Sequence, residues 1–184
     1  SWLSAGISAL ELQIPLKSPF PINPIKGINI GSLSLVYTPD TAYQPTAFSN
    51  AVSAELALPF GFPISIVNAA NTFTILFDGA QVGTLNSAYS NSSTELTVVS
   101  SGQTVGTVNL TLPPSSLTLA NDTQAARKEL EDFTSYLTLT NGTAVRLQGA
   151  SKVVSDTPLG RVILNGIIFD VDSGLLGLSL IHIS

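Results

Sequence analysis

The sequence predicts an all-β fold, an immunoglobulin- or fibronectin-III-like β-sandwich with one helix late in the chain. Three observations predict it. Apolar and polar residues alternate through most of the chain, as they do when a strand buries one face. Turn dipeptides such as Asp78-Gly79 separate the alternating segments. Only residues 121–137 show apolar residues at helical spacing. Many short strands with frequent turns and one helix are typical of a sandwich.

The first 27 residues are predicted to form an N-terminal arm outside the sandwich. Prolines stand at positions 15, 19, 21 and 24, and each fixes φ and removes a hydrogen-bond donor, which disfavours a central strand. Residues 28–178 are predicted to be the sandwich domain. Residues 179–184 match no element of that fold, and we interpret them as a tail foreign to the domain.

The segment before the Asp78-Gly79 turn predicts part of the core. Phe73, Ile75 and Phe77 alternate with other residues, so they share one face of a strand. A type I′ hairpin turn needs positive φ at both central positions, which an Asp-Gly pair adopts readily. Residues 52–58 show the same alternation, with apolar side chains at every second position.

A second hairpin is predicted around Ser101-Gly102. In its return strand, Val108 and Leu110 point to one face and are predicted to lie in the core. Asn109 points to the other face and is therefore predicted to contact solvent.

The predicted helix, residues 121–137, places Leu130 and Phe133 on its apolar face. Asn121 followed by Gln124 fits a capping box at its start. A third hairpin is predicted at Asn141-Gly142.

A long apolar strand is predicted over residues 160–171. Its alternation places Val162, Leu164 and Gly166 on one side.

Four N-glycosylation sequons of the form Asn-X-Ser/Thr begin at Asn91, Asn109, Asn121 and Asn141. A sequon is used only in a chain that passes through the secretory pathway. Two of the four asparagines fall on a predicted turn or solvent face. The cluster therefore predicts a secretory protein, in the vacuolar lumen or at the cell surface.

Composition agrees with that environment and excludes several classes of function. Charged residues make up 10% of the chain, against roughly 25% in ordinary globular proteins. The net charge is −5 with only seven Lys and Arg residues, so no basic surface exists for nucleic acid. The chain has no cysteine, which excludes disulfides, zinc-thiolate sites and thiol catalysis.

No catalytic residue, metal ligand or cofactor site is predicted. The single histidine, His182, stands two residues from the end, which disfavours a catalytic triad. Residues 170–174 resemble the start of a calcium loop, but Ile181 occupies the position where such a loop needs Glu. Acidic residues that a glycoside hydrolase would need as a pair are scattered singly: Asp40, Glu55, Asp78, Glu95 and Asp156.

The order of segments resembles a known family. Residues 64–85, a Thr-rich hairpin, a helix, and then residues 140–154 and 158–178 follow the pattern of the late-embryogenesis-abundant type 2 family, also called the WHy domain. Within it, the chain is most similar to a fungal branch with vacuolar or cell-surface lumenal domains. The resemblance covers about residues 52–178 and depends on hydrophobic patterns.

The resemblance implies a fibronectin-III-like sandwich closed at one end by the helix, without catalytic residues. It also implies a membrane-anchored parent protein, with the anchor outside this chain, and a lipid bound between the sheets. Plain core packing is the alternative role for the inward residues that would line such a groove, which are Phe73, Ile75, Phe77, Val108, Leu110, Leu130 and Phe133.

Three functions remain open at this point. The first is a non-enzymatic lumenal or extracellular domain that binds a lipid or a protein partner. The second is a structural protein that self-associates into filaments, because few charged residues guard its strand edges. The third is a hydrolase with scattered acids, which the sequence disfavours.

We expect N-glycans on at least two of the four sequon asparagines when the protein is made in a eukaryotic secretory host. Endoglycosidase treatment should then increase the mobility of the protein on a gel. Unchanged mobility after treatment would contradict the expected secretory passage.

Overall fold

The structure, a computed structural model, describes residues 12–15, 23–59, 61–99 and 102–182, with backbone alone for 12–15 and 178–182. Within these residues the fold is all-β with one late α-helix, which confirms the predicted fold class. The elements are β1 (Leu12–Pro15), β2 (Ile25–Ile30), β3 (Leu33–Tyr37), a 3-10 turn (Pro39–Thr41), β4 (Thr46–Leu58), β5 (Ser65–Phe77), β6 (Ala80–Val98), β7 (Thr104–Thr118), α1 (Gln124–Thr140), β8 (Gly142–Thr157), β9 (Gly160–Leu176) and β10 (Leu178–His182).

The strands form one continuous hydrogen-bonded sheet in the order β1-β9-β8-β5-β6-β7-β4-β3-β10. Strand β2 stands off this path and pairs with both β4 and β9. It therefore closes a ring of seven strands, β2-β4-β7-β6-β5-β8-β9. The pairs β1–β9, β2–β9 and β3–β10 are parallel, and the other pairs are antiparallel.

The ring has two ends, which we name by what they carry. The β8–β9 hairpin turns at one end, where Thr157 pairs with Gly160. Strand β4 ends and β7 begins at the same end, because Leu58 pairs with Thr104. We call this the loop end. Helix α1 covers the other, the helix end, where Phe77 contacts Phe133 edge-to-face at 5.5 Å between ring centroids.

Burial follows the predicted alternation in the strands of the ring. Val52, Ala54, Leu56 and Leu58 are all buried on the inner face of β4. In β7, Val108 is buried and Leu110 is half-buried, whereas Asn109 between them is exposed. Phe73 and Ile75 are buried, and Phe77 is half-buried against α1. The period-2 pattern in the sequence therefore identified much of the core.

The sequence misplaced both ends of the helix. Thr123, not Asn121, is the N-cap, and its hydroxyl oxygen accepts a hydrogen bond from the Ala126 N–H at 3.2 Å. Asn141 is not a hairpin residue, because it is the left-handed C-cap of α1, with φ 53°, and donates its N–H to the Leu137 carbonyl. Asn tolerates this conformation in either role, so the dipeptide alone did not separate a helix end from a hairpin.

Strand β9 also departs from the prediction. Gly166 is exposed with φ +71°, beside a register shift in the pairing with β8. A β-bulge adds one residue to a strand, so that the positions whose side chains point inward shift by one after the bulge. The inner face therefore passes from Val162 and Leu164 to Ile167, Phe169 and the alternate residues that follow, and Gly166 is not part of it.

Parts of the predicted arm and tail lie in the sheet. Strand β1 pairs in parallel with residues 162–165 of β9 in the same chain, and β2 begins at Ile25, inside the predicted arm. Residues 178–182 pair in parallel with β3. Proline is tolerated in a short edge strand, so Pro15 does not exclude β1 from the sheet.

Replacing Phe73 with Ala should lower the free energy of unfolding by about 3–5 kcal/mol, the usual cost of a large cavity in a packed core. Leu139, which is 85% exposed, provides the control, and Leu139→Ala should change stability by no more than about 0.5 kcal/mol. Urea unfolding followed by circular dichroism measures both. Equal stability of the two variants would show that the Phe73 side chain is not part of the core.

Candidate functional site

The seven-strand ring surrounds a partly open apolar cavity of about 70 Å³. Strands β2, β4, β5, β7, β8 and β9 all contribute side chains to its wall. Of the described residues that line it, only Asn71 and Ser151 are polar. The wall therefore favours a hydrocarbon group over water, because a buried water needs several polar partners.

The two polar side chains of the wall hydrogen-bond to each other. The Ser151 hydroxyl donates to Asn71 Oδ1 at 2.6 Å, across the pairing of β5 with β8. Ser151 is buried and Asn71 is half-buried. The pair satisfies part of its own hydrogen-bonding capacity. The other described residues of the cavity wall are apolar.

The structure divides the seven residues of the predicted groove into two groups. Phe73, Val108 and Leu110 line the cavity. The others lie outside its wall: Ile75, Phe77, Leu130 and Phe133.

Three of these outer residues form the contact between helix and strands. Leu130 and Phe133 are buried on the inner face of α1. The Phe77 ring contacts those of Phe133 and Tyr136, the latter at 5.3 Å between centroids. The helix therefore covers one end of the ring with aromatic packing, and these side chains belong to the core rather than to the cavity.

Sequence reasoning missed the cavity wall contributed by β2 and by the second half of β9. Ile25, Ile28 and Ile30 of β2 line the cavity, although proline content placed the start of that strand in an arm. Ile167 and Phe169 line it as well, on the far side of the Gly166 bulge. The isoleucines of β2 were a signal in the sequence for a buried strand. The bulge at Gly166, by contrast, shifted the inward positions of β9 away from those that alternation predicted.

All four sequon asparagines are exposed. Asn91 and Asn109 lie on neighbouring strands β6 and β7, where Ser93 pairs with Asn109. Asn121 and Asn141 flank α1 at the helix end, and the Thr123 hydroxyl donates to Asn121 Oδ1 at 2.9 Å. The four side chains are accessible, and their glycosylation remains a prediction.

The carboxylates of β9 face solvent, and one of them is held by an ion pair. Asp170 Oδ1 accepts a hydrogen bond from Arg146 Nε at 2.5 Å, and Asp170 Oδ2 accepts one from Arg146 Nη2 at 2.8 Å. The hydrogen bond from Arg146 lowers the pKa of Asp170 below its usual value. In the described part of the chain, no three His, Cys, Asp or Glu side chains come together as metal ligands.

Two acids that are far apart in sequence share one row of the sheet. Glu55 of β4 and Glu95 of β6 both pair with Thr107 of β7. Both side chains are exposed, and neither lines the cavity. An open sheet face lacks the concave site in which enzymes usually hold a substrate.

A wider surface hollow of about 510 Å³ lies at the helix end. Its wall is more polar than that of the cavity and includes Asp78, Arg146, Gln148 and Asp172. Arg146 is already engaged by Asp170. The hollow therefore offers few polar side chains that could bind a ligand together. The apolar cavity is the stronger candidate for a site.

Comparison with protein-family models and with curated proteins finds no match. Among solved structures, the chain is similar to a protein of Arabidopsis thaliana whose structure was determined in solution. The two are 11% identical, with 94% of this chain and 96% of the other covered and a TM-score of 0.35. A likeness at this level carries no inference about function.

No helix in the described residues is long and apolar enough to cross a membrane.

Replacing Ser151 with Ala should lower the free energy of unfolding by about 1–3 kcal/mol, because it leaves the Asn71 oxygen without its partner. The double variant Asn71→Leu, Ser151→Ala should recover most of that loss, since removing both partners leaves no unpaired group. Thermal or urea unfolding of both variants tests the pair. A double variant no more stable than Ser151→Ala would show that the pair stabilises the wall in another way.

Proposed function

We propose that the protein is a non-enzymatic domain of the secretory pathway that binds a hydrocarbon chain in its interior cavity. The observation that carries the proposal is the composition of the cavity wall. Among the described residues that line it, only Asn71 and Ser151 are polar, and they are hydrogen-bonded to each other. Such a wall offers no group to attack or protonate a substrate. It provides dispersion contacts and excludes water, which suits an apolar ligand.

The size of the cavity limits the ligand. An apolar cavity of about 150 Å³ in another protein accepts benzene, and the cavity here measures about 70 Å³. It therefore holds a few carbons at the end of a chain, and a polar headgroup would remain outside. A longer chain would need the wall to move.

Exposure of the four sequon asparagines supports the location that the proposal assumes. All four side chains reach solvent, so glycans would not disturb the core. A lumenal or cell-surface domain of a membrane-anchored parent protein would meet lipids there. Vacuolar lumen and cell surface both agree with this arrangement.

Native mass spectrometry with dodecanoate tests ligand binding. We expect one dodecanoate molecule bound to each chain. Ala69→Leu should weaken binding by about tenfold or more, because three added carbon atoms enter the cavity and a loss of about 1.4 kcal/mol already gives that factor. Ala69 is buried and lines the cavity.

Ala70→Leu is the matched control, because Ala70 is the next residue of β5 and lies outside the cavity wall. It should bind dodecanoate as the unchanged protein does. If the unchanged protein binds none, or if both variants lose binding equally, the cavity is not a ligand site.

Self-association is a second candidate, favoured by the ends of the sheet. Strands β1 and β10 stand at the two ends of the strand order. An edge strand presents backbone groups that can pair with a further strand. Strand β1, however, pairs within its own chain in this structure. Deleting residues 1–27 would therefore remove β1 and part of β2, and it should destabilise the sandwich. A folded, strictly monomeric product from an associating full chain would instead favour filament formation.

A further inference from the structure

The loop end of the ring exposes apolar side chains at three separate places. These are residues 61–64, the end of β6 at Val98, and the turn at residues 157–160. Leu159 stands at the tip of the β8–β9 hairpin and is 86% exposed. Phe62 and Val98 are also exposed.

The turns are held in place by contacts among themselves. The Thr104 hydroxyl donates to the Phe62 carbonyl at 2.8 Å, which fixes residues 61–64 beside the start of β7. Strand β5 begins at Ser65, which pairs with Asp156 at the base of the Leu159 turn. The exposed apolar side chains therefore project from one supported end and not from unrelated parts of the surface.

The sequence at these three places, residues 59–64, 98–103 and 157–160, contains no charged residue. The nearest charges at the hairpin are Asp156 and Arg161, which form an ion pair with Arg161 Nε at 2.8 Å from Asp156 Oδ1. The pair neutralises itself at the base of the turn. Placing these turns among acyl chains would therefore bury no charge in the hydrocarbon, which is the main cost of insertion.

We propose that the loop end docks on a neutral lipid bilayer, with Leu159, Phe62 and Val98 inserted at the boundary between headgroups and acyl chains. A bilayer can accept separate apolar side chains without a preformed pocket. A protein partner would need a complementary pocket for each of them. The proposal does not require a ligand in the cavity.

Three of the four sequon asparagines lie away from this end. Asn121 and Asn141 flank α1 at the helix end. Asn109 pairs with Ser53, five residues before the end of β4, which is roughly 17 Å along the strand. Glycans on these three asparagines would therefore stay in water while the turns contact lipid.

The path of the chain agrees with the same orientation. Strand β1 runs parallel to β9, and Leu12 pairs with Val162 near the start of β9. The chain therefore enters β1 from the loop end. The net charge of −5 favours a neutral bilayer over an anionic one.

Co-sedimentation of the full chain with phosphatidylcholine vesicles tests the docking. Leu159→Asp should raise the lipid concentration for half-binding by about tenfold or more, because it removes a large apolar side chain from the hydrocarbon and adds a charge. Leu139→Asp is the matched control, since Leu139 is equally exposed, at 85%, but lies on α1 at the helix end. It should bind vesicles as the unchanged protein does.

A second measurement reports contact without a charged substitution. The chain has no cysteine, so Leu159→Cys and Leu139→Cys each give one site for an environment-sensitive dye. The dye at position 159 should shift to the blue on addition of vesicles, and the dye at position 139 should not.

Several results would overturn the proposal. They are an unchanged protein that binds no vesicles, equal binding by Leu159→Asp and the unchanged protein, and a blue shift at position 139 alone. A fourth is a dimer that Leu159→Asp dissociates without any vesicle binding, because the turns would then meet a second copy. Dodecanoate binding in solution, measured on the same variants, separates this test from that of the proposed ligand site.

Discussion

The structure depends on the double pairing of β2. This strand of six residues hydrogen-bonds to β4 on one side and to β9 on the other, and without it the strands on either side of the cavity would have open edges. Closing a sheet removes those edges. It also creates an interior, because the inward side chains of seven strands then face one another. The cavity and the buried core both follow from that closure.

The two ends of the ring differ because different chemistry closes them. At the helix end, α1 buries Leu130, Phe133 and Leu137, and Tyr37 shares a hydrogen bond with Thr134 at 3.1 Å. Burial raises the pKa of the Tyr37 hydroxyl above its usual value. The loop end has no such cover among the described residues. Large apolar side chains are exposed at both ends, with Leu159 on a turn at the loop end and Leu139 on α1 at the helix end, so the ends differ in their cover and not in apolar exposure.

The surface between the two ends is polar without many charges. Threonine and serine hydroxyls supply much of its hydrogen bonding, as in the pairs Thr74–Thr84 and Thr38–Thr41. The described ion pairs are exposed, and exposed pairs contribute little to stability. The fold is therefore stabilised mainly by its apolar interior, and hydroxyl groups supply much of the polarity of its surface.

Local patterns in the sequence determined the fold class, the inner faces of β4 and β7 and the one helix, because period-2 and period-3.6 alternation report burial directly. They also determined the Asp78-Gly79 turn, where both residues have positive φ. Only the tertiary structure decided that β2 closes the ring, that Gly166 switches the inner face of β9, and that the groove residues divide between cavity and helix contact. These features arise from pairings between residues far apart in the chain, and a local pattern carries no information about its partner strand.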